Sequence, residues 1–335
     1  SKYMPKWGTL NLHGYDVEEA GGNAVQEIGL CMACAIDVAR ACIEAGLEPD
    51  AFVPRFSMQA SCSRDFFEQI AKLRAVRKIW AHIFRERFGC KNPKSLQLRI
   101  FVQTAGAGMT ARQPLNNLLR AGFYTLSAVL GGAQAVWTTT YDEALSLPHE
   151  ESQMLALRTR QIIMEETNIP NVSDPLGGSY YIEWLTARLE EESLKLVEEI
   201  EDKGGYSKCW ETGWLKSEID KSYQKWKEGV EKKEKVLVGV NKYVVSEKER
   251  EVTFQMDPEW EEIAVKRIKD FKAERDNDKT KRALEDLSVT ARKVSQEWPH
   301  GGDLMPSLIK AAKANATLGE MSKILKKNFG WGFTY

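Results

Sequence analysis

The chain has 335 residues, 43% apolar and 28% charged, which is enough length for two or three domains and excludes a disordered or fibrous composition. Its 47 basic and 48 acidic side chains leave a formal charge of -1, which excludes nucleic-acid binding driven by overall charge. No stretch approaches the roughly 18 uninterrupted apolar residues of a membrane span. No charged-then-apolar signal segment opens the sequence, and the six cysteines (31, 34, 42, 62, 90, 209) are too sparse for a disulfide framework, so a cytoplasmic location is expected.

Along the first 200 residues a short apolar or alternating run repeatedly precedes a long amphipathic stretch. Strands are expected at Thr9 to His13, Phe52 to Ser57, Leu98 to Gln103 and Ala135 to Thr139, with helices over Val25 to Ala45, Asp65 to Phe88 and Gln113 to Leu130. Strand starts about 35 to 45 residues apart, each followed by a helix, are the spacing of βα units in a parallel sheet. Four such units fall short of the eight that close a barrel, and a four-stranded parallel arc leaves two open edges. The alternatives are an open doubly wound sheet or half of a barrel completed by another chain or copy. Thr9, Asn11 and His13 share one strand face, and hydroxyls crowd Thr138 to Thr140, so one sheet face is polar: a ligand-lined lumen or a solvated side.

Beyond Gly204-Gly205 the composition turns to Lys and Glu, which divides the chain into 1-203 and a helical region 204-335. Helices are expected over roughly 181 to 203, 211 to 231, 258 to 282, 283 to 297 and 305 to 328, with Val236 to Val240 as a buried strand or extended crossover and Pro299 to Gly302 as a loop. Glu is interspersed among the lysines of 225 to 235, which reads as a solvated face rather than a nucleic-acid patch.

Parallel α/β proteins place chemistry at the C-terminal strand ends. The residues expected there are Tyr15 and Asp16, then Arg55, Ser57 and Gln59, then Gln103 and Thr104, then Gln134 to Glu143. Arg55 has the planar fork for a carboxylate or phosphate, and equally the means to satisfy loop carbonyls. Gln103 can face a ligand or the backbone. Asp142 and Glu143 form an exposed-looking carboxylate pair, for which helix capping explains Asp142 as well as function does. Cys31-x-x-Cys34 lies in a helix-period run without a second pair, the histidines (13, 82, 149, 300) are dispersed, and the glycine pairs lack a phosphate-loop context.

Taken together, these segments carry a family resemblance. Gly14-Tyr15 with Glu19-Ala20-Gly21, FVPRFS (52 to 57), DFFEQIA (65 to 71), Lys91 to Leu98, QTAGAGMTARQP (103 to 114) with Asn116-Asn117, Gly131 to Gln134, YDEALSLP (141 to 148), DPLGGSYY (174 to 181), VGVNKY (238 to 243) and Leu304 to Gly330 are collinear along the whole chain. The sequence resembles the large, catalytic subunit of the methylmalonyl-CoA mutase family of adenosylcobalamin-dependent acyl-CoA mutases. The resemblance implies a (β/α)8 barrel lined by small polar side chains around the pantetheine arm of an acyl-CoA. A separate domain presents adenosylcobalamin and its cobalt ligand at the barrel mouth, and a radical rearrangement moves the carbonyl-CoA group.

Residue by residue, the resemblance makes Tyr15 a pocket tyrosine, Arg55 and Ser57 CoA contacts, Gln103 and Gln134 residues facing the corrin or substrate pocket, and Glu143 with Ala144 neighbours of the adenosyl ribose and corrin. Asp16 replaces a histidine that donates to the thioester carbonyl, which an ionised carboxylate cannot do. Gln59 replaces an aromatic near the substrate, and Phe101 and Trp137 stand at positions of further histidines. The resemblance further implies that the chain begins near the second half of the barrel, and the sequence contains no Asp-x-His-x-x-Gly cobalt-ligand motif. The resulting expectation is an isomerase subunit acting on a branched acyl-CoA, joined to a cobalamin-binding subunit and to a chain carrying the first barrel half, with no nucleic acid or membrane partner. The alternatives are a non-catalytic assembly subunit and a barrel formed by two copies.

Overall fold

A computed structural model of the chain describes residues 7–8, 10–246, 257–297 and 300–330. Thr9 of the first expected strand and Pro299 of the expected loop lie outside the described residues. Contacts divide the chain into two compact units, 1–255 and 256–335. The division lies beyond the compositional break at 203/204 because the helices that follow that break pack on the first unit.

That first unit is built on one parallel sheet in the order β1 (Leu10–His13), β2 (Phe56–Cys62), β3 (Arg99–Thr104), β4 (Ala135–Trp137). Helices connect the strands: α1 (Gly14–Glu19), α2 (Ala24–Glu44), α3 (Pro49–Phe52), α4 (Phe66–His82) and α5 (Asn116–Leu130), with α6 (Glu150–Glu166) after β4. This is the parallel βα sheet that the strand spacing implied, consistent with the half barrel that the resemblance implied. α2 starts where Asn23 and Gln26 exchange side-chain and backbone hydrogen bonds across the first turn, a capping box. Its buried stripe of Ala24, Ile28, Met32, Ile36 and Ala39 covers the apolar sheet face of Leu12, Met58, Ala60, Ile100 and Val102.

The second strand begins later than its apolar run. Phe52 and Val53 are buried, yet they belong to α3 and to a 3-10 turn, Val53–Arg55, and extended pairing starts at Phe56. Pro49 and Pro54 sit in the first turns of these two helical pieces, where their fixed φ suits a helical start. The expected helix from 65 to 88 ends at His82 in a π turn, Ile83–Arg87, and α6 is a helix that the strand-helix reading did not include.

α7 (Tyr180–Asp202) forms an outer layer against α2 and α4. α9 (Trp214–Glu231) is the helix expected over 211 to 231, and Gly213, with φ 74°, separates it from α8 (Tyr206–Glu211), a short helix that the sequence reading did not include. Cys209, Leu215 and Ile219 from this pair pack with Val17, Leu30, Ala33 and Ile200 in a second apolar cluster. Val236 to Val240 is neither a buried strand nor a crossover. Val236, Val238 and Val240 are exposed, Gly239 has φ 82°, and the Asn241 amide holds the carbonyls of Val230 and Lys235, which closes a turn.

The second unit contains α10 (Pro258–Glu274), α11 (Asn277–Gln296), α12 (Met305–Lys313) and α13 (Leu318–Phe329). The boundary expected at 282/283 falls inside α11, the break lying at Asp276 instead, and the helix expected over 305 to 328 is broken at Thr317. Asp276 accepts from Lys279 N–H to start α11, and Thr317 forms a capping box with Glu320 to start α13. Ala283, Leu287, Ala311, Ala314 and Ala316 make the small core.

Arg275, nearly buried, grips Glu320 with two parallel bonds of 2.7 and 2.6 Å. This grip, with help from Thr317 and against partial burial, holds the Glu320 carboxyl well below the ordinary carboxylate range. A carboxyl lowered in the folded state stabilises above its unfolded value of about 4.3 and loses that contribution as the pH falls through the folded value. Arg275→Met is expected to lower the thermal midpoint of this unit by several degrees at pH 7 and by less at pH 3, where only part of the contribution has been lost, read by circular dichroism. An equal loss at both pH values contradicts the linkage.

Candidate functional site on the open sheet face

A parallel register with period-two pleating puts paired residues on the same face. Asn11, Ser57 and Arg99 form one tier, His13, Gln59, Phe101 and Ala135 a second, and Ser61, Gln103 and Trp137 a third nearest the C-terminal ends, of which Ser61 is fully buried. The opposite face is the apolar core, so the polar alternation expected from the sequence maps onto one open, concave-lining side. Hydrogen bonds tie the tiers together. Ser57 Oγ donates to Asn11 Oδ1 at 3.2 Å, Asn11 Nδ2 approaches His13 Nε2 at 3.3 Å, and Gln59 Nε2 donates to Gln103 Oε1 at 2.9 Å.

The later start of β2 moves two expected strand-end residues to the other end of the sheet. Arg55 precedes β2 and Ser57 is its second residue, so both lie at the N-terminal edge, while Gln59 lies mid-strand. Gln134 also sits at the N-terminal edge, where its Oε1 accepts from Ile100 N–H at 2.6 Å and its own N–H donates to Ile100 O, tying β4 to β3. The structure therefore spreads the expected residues along the strand direction. Tyr15, Asp16, Gln103, Trp137, Glu143 and Ala144 are at the C-terminal mouth, Gln59 and Phe101 midway, and Arg55, Ser57 and Gln134 at the far edge.

At the mouth Tyr15 and Glu19 stand one helical turn apart on α1. The Tyr15 hydroxyl lies beside Glu19, and Glu19 accepts from Ala107 N–H at 3.0 and 3.2 Å. A Cβ on Gly106 would lie 3.3 Å from Glu19 Oε2 and 3.4 Å from Glu143 Cγ, so the two carboxylates flank a backbone that has no side chain. Burial first, and then the Glu19 charge, push the Tyr15 hydroxyl up; burial, Glu19 and Asp142 push the Glu143 carboxyl up. Glu19 enters the sequence reading only as part of a matching motif, although its i,i+4 spacing from Tyr15 is a usable signal.

The presumed carboxylate pair separates. Glu143 is exposed, but Asp142 is fully buried and bonds His149 Nδ1 at 2.6 Å, which fixes the loop between β4 and α6. Behind the mouth, Lys72 Nζ reaches Glu27 Oε2 at 2.6 Å and Ser61 Oγ at 2.8 Å, and Glu27 Oε1 accepts Ser61 N–H at 2.9 Å. Glu27 lies against the place where β1 ends: a Cβ on Gly14 would come within 2.8 Å of its Cγ. Cys31 and Cys34 are free thiols within α2 that burial pushes up, the opposite of an activated pair.

A one-sheet parallel βα unit with polar tiers on one face, and acids and a tyrosine at the strand exits, belongs to the class of barrel-type α/β proteins. A family model described as methylmalonyl-CoA mutase matches residues 1–331, and the chain belongs to that family. It is 37% identical over 331 residues to the 2-hydroxyisobutanoyl-CoA mutase large subunit of Aquincola tertiaricarbonis, covering 98% of this chain and 58% of that one. It is also 37% identical to a methylmalonyl-CoA mutase of Rhizobium meliloti and 35% identical to the human mitochondrial methylmalonyl-CoA mutase, with 98% of this chain covered and 46% and 43% of theirs. The chain thus spans about half the length of the curated relatives it matches. No described helix is long and apolar enough to cross a membrane.

Proposed function

We propose that the chain is an isomerase subunit of an adenosylcobalamin-dependent acyl-CoA mutase and that its polar sheet face lines half of the substrate tunnel. The carrying observation is the graded face: a cation, Arg55, and Ser57 at one edge, amides midway, and Tyr15, Glu19 and Glu143 at the mouth. An acyl-CoA has the same polarity order, with phosphates at one end, an amide-bearing arm and a reactive acyl group at the other. Among the described residues no strand pairs the outer edges of β1 and β4, and strands from another chain, a further segment or a second copy would complete them. Six free thiols suit a reducing, cytoplasmic compartment.

The mouth suits a large planar cofactor, because Ala105 to Gly108 carries no long side chain and paired carboxylates flank Gly106 as acceptors for a ribose diol. Glu143, Ala144, Gln103 and Trp137 are the residues of this chain that would hold it. Adenosylcobalamin supplies the radical chemistry when bound, and a separate cobalamin-binding subunit provides the cobalt ligand. The chain's own part is to fix the acyl group, to keep the Tyr15 hydroxyl protonated through burial and Glu19, and to exclude water at the strand ends.

The test is reconstitution of the full chain with adenosylcobalamin, a cobalamin-binding subunit and a chain carrying the first barrel half. Turnover of isobutyryl-CoA, 2-hydroxyisobutyryl-CoA or methylmalonyl-CoA is expected, and its absence with all three counts against a catalytic role. Phe101 and Trp137 on the polar face favour a second reading, a non-catalytic assembly subunit, for which a stable complex without turnover is the signature.

A further inference from the structure

β1 stops pairing with β2 at His13 and Gln59, and the chain turns at once into α1. Ala60 to Cys62 of β2 therefore keep their β3 partners on one side and have no strand on the other among the described residues. At Ser61 a side chain fills that place. Glu27, reaching in from α2, accepts the Ser61 N–H on Oε1 at 2.9 Å and the Ser61 hydroxyl on Oε2 at 2.5 Å, so the backbone donor is satisfied as a neighbouring strand would satisfy it. Lys72, from α4, donates to Glu27 Oε2 at 2.6 Å and to Ser61 Oγ at 2.8 Å, and neither charged group reaches water. The carboxylate is thereby held in one place from three directions.

That place lies under both walls around Tyr15. On one side, a Cβ on Gly14 would come within 2.8 Å of Glu27 Cγ and 3.0 Å of its Oε1, so the first residue of α1 rests directly on this side chain, and Tyr15 is the next residue. On the other side, Ser61 is followed by Cys62, whose carbonyl accepts from Ala105 N–H at 2.8 Å and so holds the backbone leading into Gly106, which the Tyr15 hydroxyl faces. Burying two charges gains little over burying two apolar side chains of the same volume, so what the pair adds is fixed geometry. We propose that Glu27, clamped by Lys72 and Ser61, is a positioning residue that sets Tyr15 against Gly106 at the strand exits. The assignment rests on the acyl-CoA reading above, and it places the support of the mouth in a side chain that touches no reactant.

The experiment measures kcat and KM of the full assembly for Glu27→Asp, alone and combined with Tyr15→Phe, on whichever of the three thioesters named above turns over. Glu27→Asp keeps the charge opposite Lys72 and withdraws the carboxylate from Ser61 N–H and from beneath Gly14. Alone it is expected to lower kcat roughly tenfold with KM within about twofold of native, the pattern of a displaced reacting group. In the Tyr15→Phe background the same change should cost less than about twofold, because residues that act through one another are not additive. Gly14→Ala, which crowds Glu27 while leaving the three polar groups intact, should give the same pattern and serves if Glu27→Asp folds poorly. A fluorotyrosine placed at position 15 reads the same displacement without turnover: its fluorine resonance should move in both variants. Equal losses in the two backgrounds, or a fluorine resonance that stays in place, overturn the assignment and leave the acyl-CoA reading standing. Absence of turnover in the native assembly overturns that reading, and the assignment with it.

Discussion

Lys72→Met is expected to cost about 3 to 5 kcal/mol of unfolding free energy at pH 7, the range for removing one partner of a buried ion pair. Lys72 and Glu27 are 1% and 0% exposed, so the methionine leaves a carboxylate with no access to water and only Ser61 to satisfy it. Burial pushes Glu27 up, while Lys72 is the leading influence pulling it back. Without the ammonium, the folded protein takes up a proton on Glu27 instead of burying the charge. A carboxyl raised in the folded state contributes fully below its unfolded value of about 4.3, and that contribution is lost as the pH rises through the folded value. The deficit of Lys72→Met should therefore widen between pH 4.5 and pH 7. The double variant Glu27→Gln with Lys72→Met removes both charges and keeps an acceptor for Ser61 N–H, and should recover most of the loss. Urea titrations at the two pH values check each step. A single variant within 1 kcal/mol of the native chain, or a double variant no better than the single, contradicts the account.

That buried pair also shows where sequence reading reached its limit. The βα rhythm was legible because apolar runs, turns and helix stripes repeat at spacings that only a parallel sheet satisfies, and the polar face was legible in the alternation of Asn11 and His13 with Leu10 and Leu12. Register was not. Phe52 and Val53 are as apolar as a strand, and nothing local says that Pro49 and Pro54 tie them into helical turns, so Arg55 and Ser57 were expected at the wrong end of β2. The helix breaks at Asp276 and Thr317, and the short α8 ahead of Gly213, were hidden because charged stretches carry little period. Glu27 and Lys72 look like surface residues of amphipathic helices, since ion pairing over 45 positions leaves no mark on either neighbourhood. Glu19 lay within a matching motif, and its partnership with Tyr15 and Ala107 needed the β3 loop to be brought beside α1.

Tyr15→Phe is the second large expected effect, and it falls on rate rather than stability. In the assembled enzyme kcat should drop roughly 100-fold with KM changed little, the scale at which a reactant displaced by about 1 Å slows a positioned reaction. The hydroxyl faces Glu19 and the Gly106 backbone, and it is the neutral group among acids, with Glu19 and Glu143 on either side of Gly106. Removing it takes the neutral polar group away from Glu19 and lets the two carboxylates reorganise at the strand ends, while the ring still fills its space. Burial and Glu19 keep the native hydroxyl protonated throughout the neutral range, so the variant should lower kcat by the same factor from pH 6 to pH 9. A loss that grows toward pH 9 indicates that ionisation of the tyrosine itself takes part. A raised KM with unchanged kcat assigns Tyr15 to ground-state binding of the acyl group instead. An unchanged urea midpoint for the purified variant separates either outcome from misfolding, because the residue lies at the mouth and outside the apolar cluster between sheet and helices.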